Sequence, residues 1–256
     1  MDDIPNLTVL EHSRISPPRD TIGHCSLPLT FFDVTWLLFP PVHHLFFYDF
    51  PHPKSHFIET VVPNLKHSLS ITLQHCFPFV SNLIVFPTVT RKPKIRHVEG
   101  DSVAVTFAES TLDFNDLTGN HPRKCEDFYL LVPALGESGF VIATKLIGEG
   151  ISKMVNNKEG ILKDAERWYD GFKIPARKIG VSGTPKLNFY DMDFGWGKPI
   201  KYEAVSFYYM IMETFYISGS KESAAQDLEI GVCFSSLQME AFANIFNHGL
   251  KSAIYQ

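Results

Sequence analysis

The sequence predicts a mixed α/β protein, with α+β layers of helices on sheets. Two patterns of apolar spacing and one absence carry the prediction. Some segments place apolar residues every fourth position, as one helix face does, while others form short apolar runs bounded by polar or turn residues, as strands do. The two kinds alternate along all 256 residues, the order expected of packed helix and sheet layers. No period of 20–50 residues repeats, which sets aside solenoids and propellers.

The elements follow in order. Residues 42–50 (VHHLFFYDF) read as a buried strand. Phe57, Val61, Leu65, Leu69, Leu73 and Phe77 step by four and mark a helix, with Pro63 in its first turn, where a missing N–H costs nothing. Strands are expected near 83–86, 94–98 and 103–108. The stretch 112–137 is polar and reads as loop. A helix is predicted from Phe140 through Thr144, Ile147, Ile151 and Val155, and another over 159–170. Strands are expected near 186–191, 203–216 and 228–234. The last helix opens on Ser235, which forms a capping box with Gln238. It shows Leu237, Ala241 and Ile245 on one face and stops at Gly249.

Composition narrows the function classes. With 45% apolar residues, 20% charged residues and 22 Phe, the chain has too much to bury to be disordered. A net charge of −5 argues against nucleic-acid and membrane partners. The richest apolar stretch, 27–50, is interrupted by Asp33, Pro40, Pro41, His43, His44 and Asp49, so no membrane span is expected. The acidic start Met1-Asp2-Asp3 is unlike a signal peptide. The four cysteines (25, 76, 125 and 233) are far apart, so reduced thiols and a cytoplasmic location are expected.

Candidate chemistry is sparse. There is no Gly-x-Ser-x-Gly elbow, phosphate-binding glycine loop or His-Glu-x-x-His zinc motif. His43, His44, His52 and His56 supply four imidazoles, but several local structures would have to converge on one ion, and Pro51 and Pro53 stiffen the segment. Packed or surface histidines are the better reading, and no metal site is assigned. Arg91, Lys92, Lys94 and Arg96 would suit an anion such as a CoA phosphate; a solvated turn and strand edge is the simpler reading. His97 and Asp101 spell His-x-x-x-Asp, a histidine base with an aspartate four residues on. In Asp193-Phe194-Gly195-Trp196-Gly197-Lys198-Pro199 the glycines free the backbone and the aromatics anchor it. Taken alone, that string is a turn pinned by aromatics, with Asp193 available to a buried arginine.

Taken together, these segments resemble the plant BAHD acyltransferases of the His-x-x-x-Asp type. Within them, the resemblance is to the malonyltransferase-like branch that acts on anthocyanin and phenolic glucosides. It is carried by residues 27–50, 63–79, 94–110, 113–123, 156–160 and 193–199, over nearly the whole chain. It implies a two-lobed fold related to chloramphenicol acetyltransferase, with residues 1–137 a portion of the N-terminal lobe and 138–256 a portion of the C-terminal lobe. It also implies acyl transfer, malonyl above all, from CoA to a sugar hydroxyl of a phenolic or flavonoid glucoside. Acyl-CoA would be a co-substrate, with no bound cofactor and a monomeric state. A histidine would act as general base, and Asp193, Phe194, Gly195, Trp196 and Gly197 would support the CoA channel.

The chain departs from that pattern in its middle. Residues up to about 136 resemble the family's N-terminal third, and those from 138 onward its C-terminal third. The intervening catalytic His-x-x-x-Asp-Gly and the branch's Tyr-Phe-Gly-Asn-Cys have no counterpart. His97 and Asp101 do not replace them: they lie in the family's Arg-x-Val-Glu-Gly-Asp-Ser-Val strand, and Asp101 is followed by Ser102 rather than glycine. No catalytic residue is therefore assigned. The expected protein is an inactive, shortened member with exposed strand edges, the apolar run from Phe207 to Ile217 among them; a non-catalytic binding or regulatory role is the alternative.

Overall fold

The computed structural model describes residues 6–30, 33, 43–85, 93–132, 179–183, 185–205, 213–221 and 227–254. It combines antiparallel pairing with helices, the mixed α/β class predicted from the sequence. The predicted helices at 140–155 and 159–170 lie outside the described residues, as do Arg91, Lys92 and residues 156–160. No helix among the described residues is long and apolar enough to cross a membrane. The contacts divide the chain into two compact units. Among described residues, the first takes 6–30, 33, 51–85 and 93–111; the second takes 43–50, 112–132 and 179 onward.

In the first unit, β1 (Leu7–Ile15) pairs antiparallel with β6 (Val103–Ser110), from Leu7↔Ser110 to Ile15↔Val103, with an irregularity between Val9 and Glu11. Three further strands form a small antiparallel sheet: β2 (Cys25–Pro28), β5 (Lys94–His97) and β4 (Asn82–Ile84), with β5 central. The long helix is α2 (Val62–His75), preceded by α1 (Lys54–His56) and a π-helical turn, Phe57–Val61. Pro63 sits in the first turn of α2, as its spacing predicts. The four-residue step is the inward face: Val61 and Leu73 are buried, and Leu65 and Leu69 half-buried. Leu73 packs with Ile15 and Val80, flanked by Leu69, Val103 and Val105.

Strand β1 has no apolar alternation because its inner face is partly polar. Glu11 and Ser13 occupy inward positions, and Lys66 of α2 reaches down to bind the Glu11 carboxylate. That ammonium also lies 5.5 Å from the centre of the Phe107 ring, a favourable cation–π placement.

The second unit holds the pair β3 (His43–Phe47) and β8 (Lys201–Val205), antiparallel in register Phe47↔Lys201. Its other sheet runs β10 (Leu228–Cys233), β9 (Glu213–Gly219), β7 (Ile179–Gly183), with β9 central and parallel to β7. The described part of the apolar run 207–217 thus lies in a central strand rather than an edge. The loop expected over 112–137 contains two short helices, α3 (Phe114–Thr118) and α4 (Cys125–Leu131). Asp113 starts α3 by accepting hydrogen bonds from the amides of Asn115 at 2.8 Å and Asp116 at 3.1 Å, a helix N-cap. Both helices anchor a core of Phe47, Leu117, Phe128, Val132 and Val205.

Two expectations nearby are corrected. The strand predicted at 186–191 is a 3₁₀ turn, Phe189–Asp191. The last helix, α5 (Ser236–Ile254), runs through Gly249 instead of stopping there. One half of the capping box is seen: the Ser235 amide donates to Gln238 Oε1 at 3.2 Å, and the Ser235 hydroxyl donates to the same oxygen at 2.6 Å. Its inward face differs from the predicted one, because the Phe242 ring packs on Phe215 and Phe234. Leu237 and Ile245 are 79% and 74% exposed.

Candidate functional site

The second unit contains a cavity of about 520 Å³. Its wall is built from helix α4 and the segment before it, the strands β8, β9 and β10, and Met239 of α5. The charged groups on that wall are mutually satisfied. Arg123 binds Glu203 at 2.6 Å, donates to the Leu117 carbonyl at 2.7 Å and lies 5.2 Å over the Phe128 ring. Lys201 bridges Glu229 and, at 3.8 Å, Glu203. Among the described residues of the lining, two cations and two carboxylates therefore pair off. The Tyr190 hydroxyl donates to Glu229 at 2.7 Å, and its pKa is raised by burial and then by that carboxylate.

Two tyrosines of the lining, Tyr202 and Tyr216, are joined through their hydroxyls. Tyr202 Oη and Tyr216 Oη are 2.7 Å apart, and His44 Nδ1 lies 2.6 Å from Tyr202 Oη. Burial, reinforced by the neighbouring His43, holds the His44 pKa below its usual value, so its ring is neutral at pH 7. The Phe189 ring stacks on Tyr202 with centroids 4.2 Å apart.

On the cavity wall, Cys125 at the start of α4 and Cys233 at the end of β10 place their sulfurs 3.3 Å apart. Both are free thiols. The hydrogen bond with Cys233 draws the Cys125 thiol down to about 7, and the Arg123 charge adds to this against the opposing effect of burial. Cys233, which keeps its proton, is pushed up by that hydrogen bond and by burial. Widely spaced cysteines give no local signal of this contact.

His97 and Asp101 are not joined as a base and its orienter. His97 ends β5, is 2% exposed, and both its ring nitrogens lack a hydrogen-bond partner among the described residues. Asp101 closes the turn that follows: its carboxylate accepts from the Val98 amide at 2.8 Å and from Asn82 Nδ2 at 2.7 Å, and its own amide donates to the Val98 carbonyl at 3.0 Å. Gly100, third in the turn, has φ +93°, as a type II turn requires.

The loop 193–197 is held by its own aspartate. Asp193 Oδ1 accepts from the amides of Gly195 at 2.7 Å and Gly197 at 3.0 Å, in place of the arginine considered from sequence. Both glycines are left-handed, at φ +99° and +102°, with open space where a Cβ would stand. Backbone conformation alone therefore selects glycine there. Trp196 meets Tyr48 and Phe50 edge-on at 5.8 and 6.0 Å. Tyr48 also contacts Phe194 at 5.9 Å and donates to the Met192 carbonyl at 2.9 Å. Pro199, just beyond, is fully buried.

The remaining candidates are ordinary structure. His43 and His44 belong to β3, and His52 and His56 are neighbours with ring centroids 4.7 Å apart. Among the described residues no group of three or more His, Cys, Asp or Glu side chains is placed to hold a metal ion. Lys94 and Arg96 lie on β5, a central strand and not the edge expected for them.

The model of the transferase family matches residues 5–146 and 135–248. The chain is 42% identical to the malonyl-coenzyme A:anthocyanin 3-O-glucoside-6''-O-malonyltransferase of Dahlia pinnata, in an alignment of 461 positions covering 99% of this chain and 100% of that protein. Since the chain has 256 residues, at least 205 of the 461 positions face no residue here. It is 48% identical over 129 residues to the malonyl-coenzyme:anthocyanin 5-O-glucoside-6'''-O-malonyltransferase of Salvia splendens, covering 50% of this chain and 28% of that protein. With phenolic glucoside malonyltransferase 1 of Nicotiana tabacum it shares 40% identity over 130 residues, 51% of this chain and 29% of the relative. The matched segments thus span less than a third of these last two relatives.

Proposed function

This chain belongs to the BAHD transferase family, and we propose that it is a shortened, non-catalytic member of the family's malonyltransferase-like branch. On this reading it derives from enzymes that move an acyl group, malonyl in the relatives' names, from CoA to a sugar hydroxyl of a phenolic or flavonoid glucoside. The observation that carries the reading is the state of its one His-x-x-x-Asp string. A general base must reach the proton it removes. His97 is 2% exposed, neither of its nitrogens has a hydrogen-bond partner among the described residues, and Asp101 is committed to a backbone turn. The uncovered apolar side chains Leu237, Ile245 and Phe79 suit a chain lacking a segment that covered them. Asp193, Phe194, Gly195, Trp196 and Gly197 keep a self-supporting loop, and we retain for them the family role of backing a CoA channel. The four free thiols suit a reducing cytoplasm, and we take the chain to act as a monomer.

The test is direct. Incubation with malonyl-CoA and an anthocyanidin 3-O-glucoside, or a simple phenolic glucoside, should release no free CoA above the enzyme-free rate. Turnover above that rate would overturn the proposal. If turnover appears and H97A abolishes it, His97 is the base after all, since loss of a general base removes roughly 10²–10⁴-fold of rate.

A binding role is the second reading, favoured by the cavity of the second unit. Among the described residues its ion pairs are balanced, and the side chains of Tyr202, Tyr216, Phe128 and Tyr129 in its lining suit a neutral, hydroxyl-rich aromatic ligand such as a phenolic glucoside. A ligand bound only by the folded state adds about 2.7 kcal/mol at a hundredfold excess over its dissociation constant. The glucoside should therefore raise the unfolding midpoint. A rise with malonyl-CoA instead would favour a surviving CoA site, and no rise with either would remove the binding reading.

A further inference from the structure

The chemistry of the second unit's cavity wall goes beyond acyl transfer. Cys125 and Cys233 are 108 positions apart in sequence and 3.3 Å apart at their sulfurs. A disulfide needs about 2.05 Å, so little more than 1 Å of sulfur movement separates the two states. Both thiols are only part-buried and line the cavity, so a small oxidant can reach them. The two elements they end, β10 and α4, form different parts of that wall.

We propose that Cys125 and Cys233 are a redox clasp, oxidised by a peroxide to a disulfide that ties the end of β10 to the start of α4. Cys125 is the attacking sulfur. Its thiol is drawn down to about 7, first by the hydrogen bond with Cys233, which favours the attacking thiolate. The thiolate attacks one oxygen of hydrogen peroxide and the O–O bond breaks. The departing hydroxide takes a proton to become water, leaving Cys125 as the sulfenic acid. The Cys233 sulfur then displaces the sulfenic hydroxyl, and its proton leaves with that hydroxyl as a second water. Two thiols lose two electrons in all, and one peroxide becomes two waters. A dithiol reductant reverses the step by exchange. The clasp does not depend on whether the chain transfers acyl groups.

The experiment treats the full chain with a small excess of hydrogen peroxide, blocks remaining thiols in denaturant, and maps the peptides. The expected result is a fall from four free thiols to two, with one linked peptide joining Cys125 to Cys233, reversed by dithiothreitol. The oxidised chain should unfold at a higher temperature than the reduced one. The rate of thiol loss should rise with pH to a midpoint near 7, rather than the roughly 8.5 of an ordinary thiol. In C233S, Cys125 should stop at a sulfenic acid that dimedone traps; in C125S, Cys233 should stay reduced. Retention of all four thiols would overturn the clasp. So would linkage through Cys25, Cys76 or a second chain, or direct passage of wild-type Cys125 to sulfinic acid. The peptide map of the unaltered chain decides the matter even if a variant fails to fold.

Discussion

The turn after β5 and the loop at 193–197 use the same device with opposite consequences. In each, an aspartate carboxylate accepts main-chain amides, and a glycine with positive φ lets the chain fold back. In the turn, this use takes Asp101 away from His97 and leaves the imidazole buried with no hydrogen-bond partner among the described residues. In the loop, the aspartate's work is the whole of its role, and Tyr48, Phe50 and Trp196 supply the rest. A short motif therefore carries chemistry only if its polar groups remain free for it. His-x-x-x-Asp can be spelled by a strand end and a turn.

Substitutions separate the two cases, and the largest effect is expected in the loop. W196A removes the ring that Tyr48 and Phe50 meet; for a half-buried Trp this should cost about 2–4 kcal/mol, somewhat below a fully buried one. Urea denaturation measures it, and a loss under 1 kcal/mol would mean the aromatic cluster is not what holds the loop. In the turn, D101A leaves the Val98 amide without its acceptor and should cost about 1–2 kcal/mol. D101N should recover part of that, because it keeps one acceptor oxygen. Equal losses in the two variants would show that hydrogen bonding is not the reason.

Two smaller effects sharpen the contrast. G195A should cost about 1–2 kcal/mol from backbone conformation alone, since a Cβ there meets open space. G195N should cost less, because Asn tolerates positive φ better. The smallest effect has the opposite sign. H97L replaces an unpartnered buried imidazole by an apolar side chain and should raise stability by about 1 kcal/mol. A loss of stability in H97L would mean that the imidazole makes a bond in solution, and would restore His97 as a residue of interest.

Legibility along the chain followed the range of the interaction. Helix α2 was readable because its stabilising face repeats every four residues and is also the buried face, from Val61 to Leu73. Strand β6 was readable because Val103, Val105 and Phe107 alternate inward. Strand β1 was not, because Glu11 and Ser13 hold inward positions that only Lys66, 55 residues away, makes tolerable. Helices α3 and α4 are too short for a period to show. In α5 the contact of Ser235 with Gln238 is legible because it is local. Its inward face is not legible, because apolar residues surround the helix and contacts with the distant Phe215 and the preceding Phe234 turn Phe242 inward.

The same distinction divides what the sequence determined from what the tertiary structure decided. Family membership, the turn at 98–101 and the loop at 193–197 are contained in the sequence. Their hydrogen bonds mostly close within four residues, so one short string holds both donor and acceptor. The cavity and its paired charges needed the fold. Arg123 meets Glu203, Lys201 meets Glu229, and Cys125 meets Cys233 across 80, 28 and 108 positions. Such pairs exist only once helix α4 and strands β8 and β10 have been brought together, chiefly by burial of Phe47, Leu117, Phe128 and Val205, a driving force that is non-directional and leaves no local spacing to read.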